Sequence, residues 1–411
     1  MAIAVMAGLA AETERKSMLK GRLLALLLLC LLCIITTGCW DRKEIETRGF
    51  VLGIAVDYVT MPESKGKYDL PKVVQEHGRR KYRVTLEMPR FSKAEGEKSA
   101  DSGNHYIFSG EGESLMEIVR SINAKTYFSP FLEDTQIMIF SEEVARDGIG
   151  DLLDFFLRNP GMRRQVKLFV TPGRAEDVLK GKLNFEEANS IAISKTMRNV
   201  NIAPNFASVI NLGNVSKAIR EKRSFAMAEV LQENGEIKLT QAALFNKETK
   251  MVGVLSEYEV VGSKIIRKIL KGGAFSVPNP ANEEKLIIFD LLEPVVKVNS
   301  FVDNDRVRFS LEGEFAGILG ENTEIQQDVL KPDFLSAVEQ AVADEFTKMI
   351  QASFARQQAL KVDTVMLGDL VYRQHPHYWD KIKDRWDEEI FPAATLDIKI
   401  RVIVRRPGMT R

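Results

Sequence analysis

The chain has 411 residues, 45% of them hydrophobic, and its 57 Lys and Arg balance 57 Asp and Glu to a formal charge of zero. That length supports two or three domains with sizeable cores. The balanced charge creates no long-range field toward nucleic acid, and RRM, zinc-finger and P-loop signatures are missing.

The first feature in chain order is the apolar run Leu23 to Ile35, preceded by Lys16, Lys20 and Arg22 and followed by Thr36, Thr37, Gly38 and Cys39. A membrane-spanning helix needs about 20 apolar residues, so this run is short for a span. The order of charged, apolar and small residues is that of an export leader, beginning at Met1 or at Met18. A cysteine directly after a small residue at the end of a leader marks the cut of a bacterial lipoprotein signal. Cys39 is therefore the expected lipid-attachment residue and mature N-terminus, with 1–38 as the signal peptide. The place three residues before it, usually Leu, holds Thr36. Two other readings stay open: a secretory leader cut elsewhere that leaves Cys39 a free thiol, and an uncleaved short anchor helix. Of the three cysteines, Cys30 and Cys33 lie within the leader, so the mature chain has no partner for an internal disulfide.

Beyond Trp40, "GFVLGIAVDY" and "KYRVTLEM" alternate as strands do, and the polar stretch between Tyr58 and Lys81 reads as a surface excursion. Glu113 to Tyr127 places Leu115, Ile118, Val119 and Ile122 on one helical face. "TQIMIF" is a short buried strand, Ser141 to Arg158 is helical with Gly148 as an interruption, and "QVKLFV" is another strand. From Asn184 to Asn214 the periodicity weakens into a short helix and connector. "SFAMAEVL" and "EIKLTQAALFN" then form a hairpin over Asn234-Gly235. A helix is expected from about Met251 to Leu270, followed by strands in "EKLIIFDLL", "VVKVNSFV" and "RVRFSLEGEFAGIL", the last two joined at Asp303-Asn304-Asp305. Pro332 opens a helix whose stripe is Phe334, Val338, Val342, Phe346, Met349 and Ile350, running to about Leu360. "TLDIKIRVIV" closes the chain as a strand. The expected fold class is mixed α/β to α+β and multidomain, each domain a β-sheet packed with helices. The boundaries are 39–200 for an N-terminal α/β region, 201–215 for a connector and 216–411 for a C-terminal α+β domain.

Chemistry-bearing patterns are few. His375 and His377 flank Pro376, and a shared metal would need Asp380 and Asp384 to complete its ligands, so solvent-facing histidines are the expectation. "GEGES" at Gly110 lacks phosphate-cradling spacing and reads as a turn before a helix. Asp303 and Asp305 begin like a calcium loop that lacks its glycine and final glutamate. No G-x-S-x-G elbow or zincin helix is present. No catalytic residue, metal site or cofactor is therefore expected, and the chain reads as a non-enzyme. In "YWDKIKDRWDEEIF", Trp379, Ile382 and Trp386 share one face of an amphipathic helix, expected to pack on the closing strand; the competing reading leaves one indole for a membrane-embedded partner.

Three stretches resemble one family. "GCWDRKEIETRGFVLGIAVDY", "FLEDTQIMIFSEEVARDGIGDLLDFFLRNPGMRRQVKLFV" and "HPHYWDKIKDRWDEEIFPAATLDIKIRVIVRRPG" are similar to the start, middle and C-terminal signature of the Ger(x)C family, the C subunits of spore nutrient germinant receptors. The segment between Tyr58 and Lys81 and the residue Thr36 depart from it. The resemblance implies a palmitate-carrying germination lipoprotein, anchored through Cys39 to the outer face of the inner spore membrane. It would be built from three α/β-type domains without a catalytic site. Its implied partners are integral membrane A-type and B-type receptor subunits and, through its lipid, the membrane, with no nucleic acid. A solute-binding lipoprotein of a transporter is the alternative, and it requires two doubly wound lobes around a cleft. A surface hydrolase is a third reading, against which the missing motifs stand.

Overall fold

The alternation that begins at Phe50 becomes β2 (Gly53–Tyr58), an inner strand of a nine-stranded mixed sheet. The computed structural model describes residues 15, 18–28, 48–59, 80–89, 105–126, 128–181, 183, 188–197, 203–303, 306–322 and 331–406. The chain divides into two units, 1–48 and 49–411. In the first, residues 18–28 are helical with Leu23, Leu24, Leu26, Leu27 and Leu28 exposed. No helix among the described residues is long and apolar enough to cross a membrane.

In the second unit the large sheet runs, in spatial order, β11 (Met251–Leu255), β10 (Glu236–Phe245), β9 (Phe225–Glu233), β7 (Lys167–Thr171), β6 (Ile137–Ser141), β2, β3 (Tyr82–Pro89) and β4 (His105–Gly112). A short β8 (Ile210–Asn211) pairs with β7, and β1 (Arg48–Phe50) pairs separately with β5 (Ser129–Phe131). β2, β6, β7 and β9 are parallel; the strands on either flank are antiparallel. Both faces are covered, so the inner strands are apolar on both sides. Ile54, Val56, Met138, Phe140, Leu168 and Val170 face α1 (Leu115–Lys125), α2 (Glu142–Asp147), α3 (Gly150–Arg158) and α6 (Leu212–Arg220). Ala55, Ile137, Ile139 and Phe169 face α4 (Ala175–Lys180) and α5 (Asn189–Thr196).

The expected break at Gly148 separates α2 from α3, at a φ of 118° that suits glycine. Asn234 and Gly235 turn with φ of 53° and 78°, the double left-handed pair of a tight hairpin. The 201–215 segment holds β8 and the start of α6, and the large sheet takes β9, β10 and β11 from beyond it. The helix expected from Met251 to Leu270 is instead β11 followed by α7 (Glu257–Ile266): Met251 to Leu255 pair with β10, and Ser256 with Glu259 forms a capping box that starts the helix after the strand.

The second sheet is β12 (Gly273–Asn279), β13 (Asn282–Asp303), β14 (Arg306–Asn322) and β15 (Thr395–Arg406) in that order, antiparallel except that β15 runs parallel to β14. The two strands expected in 285–302 are one, β13, bulged between Leu291 and Glu293. Pro294 is tolerated because β12 pairs only as far as Leu291, so beyond it β13 has a free edge. α8 (Pro332–Ala359) lays its predicted stripe, all six residues buried, against this sheet. Phe346 sits at its centre, ringed by Phe275, Phe289 and Phe315 at 4.9, 6.4 and 4.8 Å. α7 joins the two halves: Val260 packs under the large sheet, Val261, Ile265 and Ile266 in the second core. A Cβ at Gly262 would collide with the Met349 carbonyl of α8, so glycine sets that close approach. The described residues thus hold one doubly covered sheet and one sheet with a long helix, which is a mixed α/β architecture and not two doubly wound lobes.

Candidate functional site

The segment after α8 is tied together by buried polar groups. Lys361 and Met366 have φ of 56° and 65°, turning the chain toward α9 (Leu367–Gln374). α9 has no side-chain cap at its first position. Asp363, buried, supplies one, accepting from the Leu367 and Gly368 amides at 3.0 and 2.6 Å and from Trp386 Nε1 at 3.1 Å. Gln357 Oε1 accepts from the Thr364 amide and hydroxyl at 3.0 and 2.7 Å. Burial pushes the Asp363 carboxyl up, against the pull of those donors.

Trp386 is 4% exposed and Trp379 half-buried, their rings 5.3 Å apart. A Cβ at Gly368 would come within 2.8 Å of Trp379 and 2.9 Å of Trp386 Nε1, so the indoles pack directly on the α9 backbone. Ile382 is buried beside them, as the spacing of the three residues anticipates. The expected continuous amphipathic helix is broken, however. α10 (Pro376–Ile382) passes through a 3₁₀ turn (Lys383–Arg385) and a π turn (Trp386–Ile390) into α11 (Phe391–Ala393). The wide turn carries Trp386, whose indole reaches Asp363.

In front of these indoles lies a cleft of about 830 Å³, between α6 with the start of β9 and the α9–α10 corner. Arg223 spans it, paired with Asp369 and Glu221, while its Nε and the Ser224 hydroxyl have no hydrogen-bond partner among the described residues. Arg267 and Asp387 line the same cleft; burial lowers the Arg267 guanidinium from its usual range and raises Asp387 to about 6, helped by nearby Asp363. Both Asp363 oxygens are held by donors. The cleft is thus walled by the two indoles and crossed by an arginine held between two carboxylates. The sequence pointed to the tryptophans but not to Asp363 or Arg223; the only trace of Asp363 is a carboxylate standing among apolar neighbours in "KVDTVMLGDL".

The other sequence candidates are dispersed. His377 is exposed as expected, but His375 is half-buried, its Nε2 3.0 Å from the Ser300 carbonyl. That contact ties α10 to β13 and corrects the expectation that both rings face solvent. No cluster that would hold a metal occurs among the described residues. Of "GEGES", read as a turn, Gly110 to Gly112 instead end β4, and only Glu113 and Ser114 bend the chain before α1, with Ser114 as its cap. Cys39, Asn304, Asp305 and the excursion 60–79 lie outside the described residues.

Two family models match the chain in succession, the spore germination protein N-terminal domain over 41–231 and the spore germination B3/GerAC-like C-terminal domain over 240–408. The chain belongs to the Ger(x)C family of spore germination proteins. Among Ger(x)C relatives it is 27% identical to spore germination protein YndF of Bacillus subtilis (strain 168), over 96% of this chain and 99% of the relative. It is 23% identical to spore germination protein KC of the same organism, over 95% and 97%. The crystal structure of the GerBC protein shares its fold, with a TM-score of 0.55 and 19% identity, covering 89% of this chain and all of that one.

Proposed function

We propose that this chain is the lipid-anchored C-type subunit of a spore germinant receptor, acting without catalysis beside two integral membrane subunits in nutrient-triggered germination. The observation that carries this reading is the pair of Ger(x)C family models in order over the chain, the first beginning at residue 41, directly behind Cys39. Residues 1–38 would be the removed signal peptide and Cys39 the acylated N-terminus on the outer face of the inner spore membrane. Two glycerol-linked chains at Cys39 would hold the protein stably, where a single chain binds only marginally. The indole-walled cleft is the surface offered to the membrane subunits.

Deletion and complementation test it. Spores lacking this chain are expected to lose a nutrient response while still germinating with a stimulus that bypasses nutrients. The parent should restore the response, whereas Cys39→Ala should restore neither it nor palmitate labelling. A deletion strain that germinates normally with every nutrient overturns the receptor reading; full complementation and undiminished label with Cys39→Ala overturn the anchor.

A further inference from the structure

Next to the indole cleft, with which it shares Ser208 and Val209, a second pocket of about 550 Å³ contains a buried lysine. Lys264, in the last turn of α7, is 5% exposed, and its ammonium makes no hydrogen bond or ion pair among the described residues. Buried lysines are almost always paired, because an isolated ammonium loses its hydration without compensation. Burial alone lowers this one, to about 8, with no carboxylate acting in the opposite direction. Near neutral pH it therefore still carries its proton in most molecules.

The lining of the pocket has one sign. Lys167 and Lys271 stand with Lys264, and no Asp or Glu is among the described lining residues. Lys167 Nζ donates to the Ser194 carbonyl and hydroxyl at 2.9 and 2.6 Å, which holds it in place. Lys271 is exposed at the rim. The remaining wall is partly apolar, from Met197, Val209 and Ile269. A cationic centre beside an apolar wall matches a ligand with an anionic head and an apolar body, not a bare inorganic ion.

We infer that this pocket is a binding site for a small organic anion, an apolar body bearing one carboxylate or phosphate, with the Lys264 ammonium as its central contact. The site borders the indole cleft, sharing Ser208 and Val209 with it, but its central Lys264 lines only this pocket, and the inference does not depend on the receptor reading.

The test uses the purified full chain in detergent, with benzoate and phenyl phosphate as the two head groups and benzyl alcohol as the uncharged control, read by calorimetric titration and thermal shift. At least one of the two anions is expected to bind saturably at one site per chain, and which one does so identifies the head. Lys264→Met, which keeps the side-chain volume, should weaken binding tenfold or more. Lys271→Gln, at the exposed rim and harmless to folding, should weaken it a few-fold. Failure of both anions to bind the parent, equal binding by Lys264→Met, or benzyl alcohol binding as well as the anions would overturn the site.

Discussion

The nine-stranded sheet and the four-stranded sheet solve helix attachment with different chemistry. Around the large sheet, α4 and α5 begin without a side-chain cap of their own. Strands supply it across the fold: Asp57 of β2 accepts from the Ala175 and Glu176 amides at 2.6 and 2.9 Å, and Glu87 of β3 accepts from the Asn189 and Ser190 amides at 2.8 and 2.9 Å and from the Ser190 hydroxyl. Gly53 beside Glu87 leaves the room that Ser190 needs. In the four-stranded half, α8 is held chiefly by an apolar, phenylalanine-rich interface, with one half-buried carboxylate, Glu339, accepting from the Val404 amide of β15 at 2.9 Å, while Asp363 caps a helix only four residues further on. Long-range buried carboxylates specify which helix meets which strand, whereas an apolar face specifies only that a helix is there. The large sheet carries several short helices that need placing; the small one carries a single long helix whose stripe places it.

Breaking the apolar half should cost most. Trp386→Ala is expected to destabilise the folded chain by about 3–5 kcal/mol, chiefly from lost packing, with a smaller part from the loss of one of the two donors on Asp363 Oδ2. Half-buried Trp379→Ala should cost less, and chemical denaturation reads both. If Trp379→Ala leaves stability unchanged but prevents receptor assembly in spores, that indole is an interface residue.

Removing a long-range cap comes next. Glu87→Ala strands three buried donors and should cost about 2–4 kcal/mol. In hydrogen exchange, the loss of protection should centre on 188–197, because α5 loses its tie to β3. Uniform loss across both sheets would contradict the division of labour drawn above.

A smaller effect is set by pH. Burial raises Glu229 to about 7, with Glu142 adding to the shift. Its unfolded value is near 4.5, so between about 4.5 and 7 the folded chain binds more protons than the unfolded one. Stability therefore falls as pH rises through that window, and the penalty is complete above it. Asp57, raised to about 6 by burial, acts in the same direction at slightly lower pH. Glu229→Gln should flatten the upper part of the slope and melt a few degrees above the parent at pH 8, with little difference at pH 4.5.

The smallest contrast concerns the histidines. His375→Ala loses the contact to Ser300 and should cost about 1 kcal/mol, while exposed His377→Ala should lie within about 0.5 kcal/mol of the parent.

Where a segment's own pattern decided its state, the sequence showed it: the stripe from Phe334 to Ile350, the break at Gly148, the Asn234-Gly235 hairpin and the inward face of Trp379, Ile382 and Trp386. These depend on local periodicity and on single residues with restricted backbone preference. Tertiary structure alone decided the rest. Met251 to Leu255 became a strand because β10 offers a free edge, a partner their own periodicity does not show. The helix after Pro376 widened at Trp386, whose indole pairs with Asp363, a residue 23 positions earlier. Asp57, Glu87 and Lys264 look like ordinary charged residues in the sequence, and they became caps and a buried cation because the chain brought helix ends, strands and a pocket wall around them. A side chain's burial and partners depend on residues far away in the chain, and no local pattern encodes them.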